Sequence, residues 1–212
     1  MKLISFEKNN NICLGAIEND LIYDLHAINS NIEESMLKFL EAGNEQLDLA
    51  EKAIQENEPS INISDVKLLS PLTNPISVRD AYAFRQHVAT ARRNRGLEMI
   101  PEFDEIPIFY FTNHNAVFGP GNFPVLSKHL GKLDFELECA AVIGKGGRNI
   151  SANKADDHVF GFMIMNDFSA RVMQMQEMKL NLGPAKGKDF GSSFGPWLVT
   201  KDELESYRKT YI

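Results

Sequence analysis

The chain has 212 residues, of which 43% are hydrophobic and 24% are charged, a composition typical of an ordinary globular protein. Its 29 acidic and 22 basic residues give a formal net charge of -7, which argues against nucleic acid or an anionic membrane as a partner and favours a small molecule. Two cysteines without metal-ligand spacing predict buried thiols in a reducing compartment. Because we find no signal-peptide pattern and no apolar run of about 18 residues, we expect a cytoplasmic protein without a membrane segment.

Residues 1–65 predict a small β-rich N-terminal subdomain with helices. Short β-prone runs separated by polar turns favour an antiparallel meander. Ser30 followed three residues later by Glu33 predicts a capping box that opens a first helix. Apolar residues at helical spacing predict a second helix from about Gln46 to Asn57. The three strands are expected at residues 2–7, 12–18 and 21–25.

Residues 66–212 predict a second, larger unit that begins with an extended linker. Asp80 follows this linker and suits a helix N-terminus, where a carboxylate caps free N–H groups. His87 comes seven residues later, about two helical turns on, so both side chains could instead line one edge of a cleft. A lone helical histidine is more often merely packed or solvated than catalytic, so the residues alone leave both interpretations open.

The most informative stretch is the alternating run Leu133–Cys139. In a strand, Asp134, Glu136 and Glu138 share one face, and the apolar residues share the other. The simplest interpretation is the solvated face of a half-buried strand. The alternative is a metal site, because neighbouring carboxylates in a cleft repel each other and a hard cation such as Mg²⁺ or Ca²⁺ removes that repulsion.

Two later segments carry further polar groups. The apolar run 159–165 predicts a buried strand that ends at Asp167, whose carboxylate must be paired or metal-bound to stay charged there. The glycine-flanked loop 187–191 carries Lys188 and precedes a strand predicted at 196–200. Serine-hydrolase, zinc-hydrolase and dinucleotide-binding motifs are absent from the sequence, which weakens those classes of function.

Four segments in this order resemble the fumarylacetoacetate hydrolase family. Together they span roughly Asp80 to Thr200. They are residues 79–87, the acidic strand 133–138, Met165-Asn166-Asp167-Phe168-Ser169-Ala170-Arg171, and Gly187-Lys188-Asp189-Phe190-Gly191. The resemblance implies an α+β, mainly β fold, the family's mixed β-roll, preceded by the small N-terminal subdomain. It also favours the metal interpretation of the acidic strand.

The resemblance further implies a role for each matching residue. The divalent cation, Mg²⁺ with Mn²⁺ or Ca²⁺ as alternatives, would be held by carboxylates, and a histidine would act as general base. The implied metal ligands are Asp80, Glu136, Glu138 and Asp167, with Ser192 near the metal. The implied catalytic residues are His87, Lys188 and Gln174, and the implied substrate contacts are Tyr82, Arg95, Gln174 and Lys188.

This reading implies a hydrolase that cleaves a carbon–carbon bond in an acylpyruvate or related β-diketo acid, with His87 activating water. The alternatives are a same-family isomerase, hydratase or decarboxylase, or a non-catalytic metal-binding protein. Asn113 and Met178 stand where the family's founding enzymes place tyrosines, so a different substrate is expected. The family also suggests a homodimer. Because its fold continues beyond residue 200, we expect a truncated form that is inactive or nearly so.

Overall fold

A mainly antiparallel sheet dominates the structure, a computed structural model that describes residues 1–209. Within that range nine strands form one sheet, in the order β4-β3-β2-β1-β11-β10-β9, with β5 beside β1 and β8 parallel to β11. The remaining two strands, β6 and β7, form a separate pair. The strands are β1 (Lys2–Lys8), β2 (Asn11–Glu18), β3 (Leu21–Asp24), β4 (Ile61–Asn62), β5 (Lys67–Leu68), β6 (Val78–Asp80), β7 (Tyr110–Thr112), β8 (Val117–Phe118), β9 (Leu133–Ile143), β10 (Val159–Ala170) and β11 (Ser192–Thr200).

Short helices connect these strands. No helix among residues 1–209 is long and apolar enough to cross a membrane. The helices are α1 (Leu25–Ile28), α2 (Met36–Ala42), α3 (Asn44–Glu56), α4 (Arg85–Arg93), α5 (Glu102–Glu105), α6 (Arg171–Glu177) and α7 (Lys201–Leu204).

The N-terminal part confirms the predicted meander and the second predicted helix, which is α3. The capping box at Ser30 is wrong, because α2 begins only after Ser35. The backbone N–H of Glu33 instead donates to the side-chain oxygen of Gln46 at 2.8 Å, so this segment is a loop tied to α3. Buried apolar residues of β1, β2, α2 and α3 then form the main core, among them Leu3, Leu14, Phe39, Leu40 and Ala50.

The sheet is continuous across the predicted boundary between the two units. Strand β1 pairs with β11, with Leu3 opposite Leu198, and β11 pairs in turn with β10. The core therefore extends from the N-terminal helices to Phe160 on β10, whose ring meets that of Phe39 edge-on at 6.3 Å. The division at residue 65 stays a prediction, and the last three residues of the second unit lie outside the described range.

One local expectation in the second unit is wrong. Asp80 does not begin a helix: it ends strand β6, and α4 starts five residues later at Arg85. Nearby, strand β7 is short and its surroundings are open, since Phe109, just before it, and Phe111, within it, are 47% and 66% exposed.

Strand register places the polar residues of the second unit in one row. In the antiparallel β9–β10 pair, Glu136 lies opposite Asp167, and in the β10–β11 pair Asp167 lies opposite Ser192. Opposed residues in an antiparallel pair have side chains on the same face about 5 Å apart. Glu138, two residues along β9, points to that face as well.

Candidate metal centre

Three carboxylates from three different strands converge on one point. Asp80 at the end of β6, Glu138 on β9 and Asp167 on β10 each offer an oxygen within 4.8 Å of the others. Asp80 and Asp167 are buried, and Glu138 is half-buried. The Oδ1 atom of Asp167 is buried without a hydrogen-bond partner among residues 1–209. Carboxylate oxygens in such a cluster are the ligands that hard divalent cations prefer, so the residues present fit such an ion.

Raised pKa values in the cluster reflect burial together with repulsion between its carboxylates. Burial, followed by the charges of Asp80, Asp167 and Glu136, raises the pKa of Glu138 to about 7. Burial also raises the pKa of Asp167, with Asp80 adding to the effect and Lys188 opposing it. Both groups hold protons more tightly than free carboxyls, and a cation would favour their ionised forms.

Tyr110 joins two of these carboxylates and was missed by the sequence analysis. Its hydroxyl lies 2.9 Å from Oδ2 of Asp80 and 2.9 Å from Oδ2 of Asp167. Burial, together with these two charges, raises the pKa of the phenol, so it stays a neutral donor. The hydroxyl is placed there because Tyr110 on β7 pairs directly with Asp80 on β6. Its strand is too short and too irregular in exposure to reveal this register from sequence.

Lys188 lies beside the cluster as its nearest cation. Its side chain is only 3% exposed, and its Nζ lies 2.5 Å from Oδ2 of Asp167 and 2.8 Å from Oε2 of Glu136. Asp167 is therefore paired, which is one of the arrangements that allow a buried carboxylate to remain charged, besides hydrogen bonding and metal binding.

Glu136 is oriented differently from the three converging carboxylates. Besides Lys188, it accepts a hydrogen bond from the Arg171 guanidinium at 2.7 Å. Burial acts to raise the pKa of Glu136, but Lys188 and Arg171 together bring it below its ordinary value. Arg171 also binds Asp134 and donates to the side-chain oxygen of Gln174, so it organises this edge of the site. The sequence contained Arg171 in a family segment, without a signal for these contacts.

The remaining predicted site residues divide into two groups. Ser192 is buried beside Asp167, and Gln174 is within reach of Arg171. Tyr82, His87 and Arg95 are exposed on the segment around α4, where Tyr82 stacks on Phe103 at 6.1 Å. Within residues 1–209, these three side chains make no hydrogen bond or ion pair with the carboxylates. Their roles stay predictions.

The match to known proteins covers this whole site. Residues 77–212 match the family model described as fumarylacetoacetate (FAA) hydrolase C-terminal, which is more than half of the chain. The chain belongs to the fumarylacetoacetate hydrolase family. The resemblance carried by the four sequence segments is thereby confirmed.

Relatives of this family with assigned activities are enzymes. The chain is 31% identical over 211 residues to a mitochondrial oxaloacetate tautomerase of Xenopus laevis, covering 96% of this chain and 63% of that protein. It is 47% identical over 98 residues to a fumarylacetoacetase of Arabidopsis thaliana, covering 45% of this chain and 21% of that protein. The chain thus spans less than two thirds of the length of these curated relatives.

A solved structure confirms the family fold. Maleylpyruvate hydrolase from Sphingobium sp. SYK-6, in complex with manganese(II) ion and pyruvate, superposes with a TM-score of 0.69 at 20% sequence identity. The superposition covers 97% of this chain and 69% of that one. The mixed α+β, mainly β architecture is therefore the one expected from sequence.

Proposed function

We propose that this chain carries the metal centre of an enzyme that cleaves a carbon–carbon bond in an acylpyruvate or related β-diketo acid. The observation that carries the proposal is the convergence of Asp80, Glu138 and Asp167 around an unpartnered carboxylate oxygen. We propose Mg²⁺ as the cation, with Mn²⁺ or Ca²⁺ as alternatives, and Glu136 as a further ligand. The manganese and pyruvate in the maleylpyruvate hydrolase structure support this class of ion and substrate.

The residues around the centre suit keto-acid chemistry. A divalent cation, when bound, acts as a Lewis acid on the keto-enol oxygens of such a substrate. Lys188 presents a buried ammonium beside the cluster, where it would stabilise a developing oxyanion together with the Gln174 amide. Arg171 neutralises Glu136 and holds Gln174 in place. The carboxylates of Asp167 and Glu136 lie within 2.8 Å of the Lys188 Nζ.

His87 is the proposed base that takes a proton from the attacking water. Its side chain is exposed on α4, so the proposal requires the α4 segment to bring it over the carboxylates when substrate binds. Tyr82 and Arg95, exposed on the same segment, would then contact the substrate. Ser192 would support the metal from β11.

A second candidate function is tautomerisation of a keto acid such as oxaloacetate. It is favoured by the name of the Xenopus laevis relative, which matches along nearly the whole chain. It is also favoured by the exposed position of His87, because enolisation requires no activated water. A third reading is a protein that binds the metal without turnover.

One experiment separates the three readings. The purified chain, supplied with Mg²⁺ or Mn²⁺, is tested for loss of ultraviolet absorbance on a panel of acylpyruvates and on enol oxaloacetate, beside calorimetric metal titration. Bond cleavage that is lost in His87→Asn supports the hydrolase, and tautomerisation alone supports the second candidate. Metal binding with neither reaction supports the third. His158→Asn is the matched control, since His158 directly precedes β10 and is nine residues, about 30 Å of extended chain, from Asp167.

The proposal also includes the expected setting of the enzyme. We propose a cytoplasmic homodimer acting on a small keto acid, without nucleic-acid or membrane partners. Its acidic composition supports the choice of a small-molecule partner. Light scattering coupled to size exclusion measures the oligomeric state directly.

A further inference from the structure

One glutamate outside the metal centre holds the backbone of the loop that carries Lys188. The carboxylate of Glu177, the last residue of α6, accepts three backbone N–H groups from consecutive residues. Its Oε1 lies 2.9 Å from the nitrogen of Ala185 and 3.0 Å from that of Gly187, and its Oε2 lies 2.6 Å from that of Lys186. Hydrogen bonds from backbone N–H to an ionised carboxylate are stronger than neutral ones.

The same three residues lead directly into Lys188. The backbone N–H of Lys188 donates to the carbonyl of Ala185 at 2.9 Å, which closes a tight turn. The carbonyl of Gly187 accepts from the N–H of Ala170 at 2.8 Å, which ties the turn to the end of β10. The turn is thus fixed on one side by the Glu177 carboxylate and on the other by strand β10.

The turn at residues 185–188 also packs directly against helix α6. A Cβ atom added to Gly187 would lie 2.7 Å from Cβ of Gln174 and 2.8 Å from its Cα. The loop therefore rests directly on the backbone of α6, one helical turn before Glu177. The Glu177 carboxylate adds charged hydrogen-bond acceptors to this contact between the loop and α6.

The position of this turn decides where the Lys188 ammonium lies. The side chain of Lys188 is 3% exposed and reaches both Glu136 and Asp167. A long side chain held in one buried conformation loses most of its rotamer freedom, so its aim depends on where its Cα is placed. A shift of the turn would move the ammonium away from Asp167.

We infer that Glu177 is a positioning residue that sets the Lys188 ammonium against the metal centre. Any effect of Glu177 on turnover rests on the proposed function, whereas its effect on the position of the Lys188 ammonium does not. Glu177 acts through the backbone of residues 185–187, and within residues 1–209 its carboxylate makes no hydrogen bond or ion pair with the residues of the metal centre.

The test measures the accessibility of Lys188 without requiring activity. The wild-type chain and the variants Glu177→Ala and Glu177→Gln are pulse-labelled with acetic anhydride, and labelling at each lysine is followed by peptide mass spectrometry. Labelling of Lys188 is expected to rise at least about tenfold in Glu177→Ala relative to Lys179, which is exposed outside the turn. Glu177→Gln should give a smaller rise in Lys188 labelling. Its amide oxygen can still accept the N–H groups of Ala185 and Gly187, whereas its amide nitrogen cannot accept that of Lys186.

Controls make the result decisive. Glu41→Ala removes an exposed glutamate of α2 and should leave Lys188 protected. Circular dichroism checks that each variant is folded, and Glu177→Gln, which keeps the side-chain shape, decides the question if Glu177→Ala does not fold. Folded Glu177 variants whose Lys188 is as protected as in the wild type would overturn the inference.

Turnover provides the separate test of the proposed function. On any keto acid that the wild type converts, kcat should fall in the same order as Lys188 labelling rises, and Glu177→Gln should recover part of the loss. A wild-type chain without turnover would count against the proposed function, while the labelling result would still decide the role of Glu177.

Discussion

At the scale of single residues, the two glutamates of the acidic strand have opposite electrostatic surroundings. Glu136 is paired with Lys188 and Arg171, and its pKa lies below the ordinary value. The side chain of Glu138 makes no ion pair or hydrogen bond within residues 1–209, and its pKa is raised to about 7. Of these two glutamates, Glu138 therefore gains more from a cation, whereas Glu136 already has two positive partners.

Replacing Glu138 with Gln should weaken Mn²⁺ binding by at least about tenfold, because a charged oxygen ligand is lost. The metal-free variant should be as stable as the wild type or more stable, since repulsion is relieved. Glu136→Gln should instead lower the free energy of unfolding by about 1 kcal/mol, a small cost because its side chain is 38% exposed. Calorimetric titration and thermal unfolding measure both effects.

The control for this pair is Asp134→Asn, on the same face of the strand but outside the converging cluster. Its metal affinity should match that of the wild type. A Glu138→Gln variant that binds Mn²⁺ normally would remove Glu138 from the ligand set.

His129 should make stability sensitive to acid. The ring is 4% exposed and stacks on Phe190, and its Nδ1 has no hydrogen-bond partner within residues 1–209. Burial, with a smaller contribution from Lys128 and opposed by Asp189, lowers the pKa of His129. The folded chain therefore keeps the ring neutral, whereas the unfolded chain takes up a proton near pH 6.5. As the pH falls below about 6.5, the unfolded state gains stability relative to the folded one.

His129→Phe should remove this acid sensitivity while keeping the aromatic stack. Between pH 7.5 and pH 5, its free energy of unfolding should rise relative to that of the wild type, by at most about 1.4 kcal/mol per pH unit. Urea unfolding at several pH values measures this difference. Parallel pH profiles for the two chains would contradict the prediction.

At the scale of elements, α6 packs closely against residues 185–188, the turn that contains Lys188. Gly187→Ala should lower the free energy of unfolding by about 1–3 kcal/mol, because the new Cβ meets backbone atoms of Gln174 at 2.8 Å. Gly146→Ala is the matched control, since a Cβ there meets nothing within 4 Å. Its stability should stay within about 1 kcal/mol of the wild type. Equal effects of the two substitutions in urea unfolding would show that the loop does not rest tightly on α6.

At the scale of the whole molecule, strand β9 is the edge strand of the sheet formed by residues 1–209, and one of its faces is apolar and exposed. Its side chains opposite the carboxylates include Phe135 and Leu137, which are 58% and 70% exposed. Contiguous apolar surface on an unpaired edge strand promotes association between chains. We therefore expect the 212-residue chain to self-associate as its concentration rises.

The double substitution Phe135→Lys and Leu137→Lys should suppress this association and leave Mn²⁺ affinity unchanged, since both side chains point away from the metal centre. Light scattering across a concentration series measures it. Ile76→Lys, at a residue 72% exposed between β5 and β6, is the control that should not change the result. A wild-type chain that stays monomeric throughout would contradict the expectation.

Local patterns in the sequence determined the shared face of the acidic strand, the N-terminal meander and helix α3. Alternation alone placed Glu136 and Glu138 on one face, because side chains along a strand repeat every two residues. Polar turns marked the N-terminal meander, and helical spacing predicted α3. The capping box at Ser30 failed because a contact between Glu33 and Gln46, distant in sequence, outweighed the local preference.

The metal centre itself was decided by tertiary structure. Pairing of β9 with β10 brings Glu138 close to Asp167, and packing of the separate β6–β7 pair brings Asp80 to them across more than fifty residues of chain. The β6–β7 register places Tyr110 between Asp80 and Asp167. The choice between paired Glu136 and unpaired Glu138 also depends on where Lys188 and Arg171 lie in space. Charges act over a few ångströms of space, so their partners depend on how strands and loops pack, which spacing in the sequence does not encode.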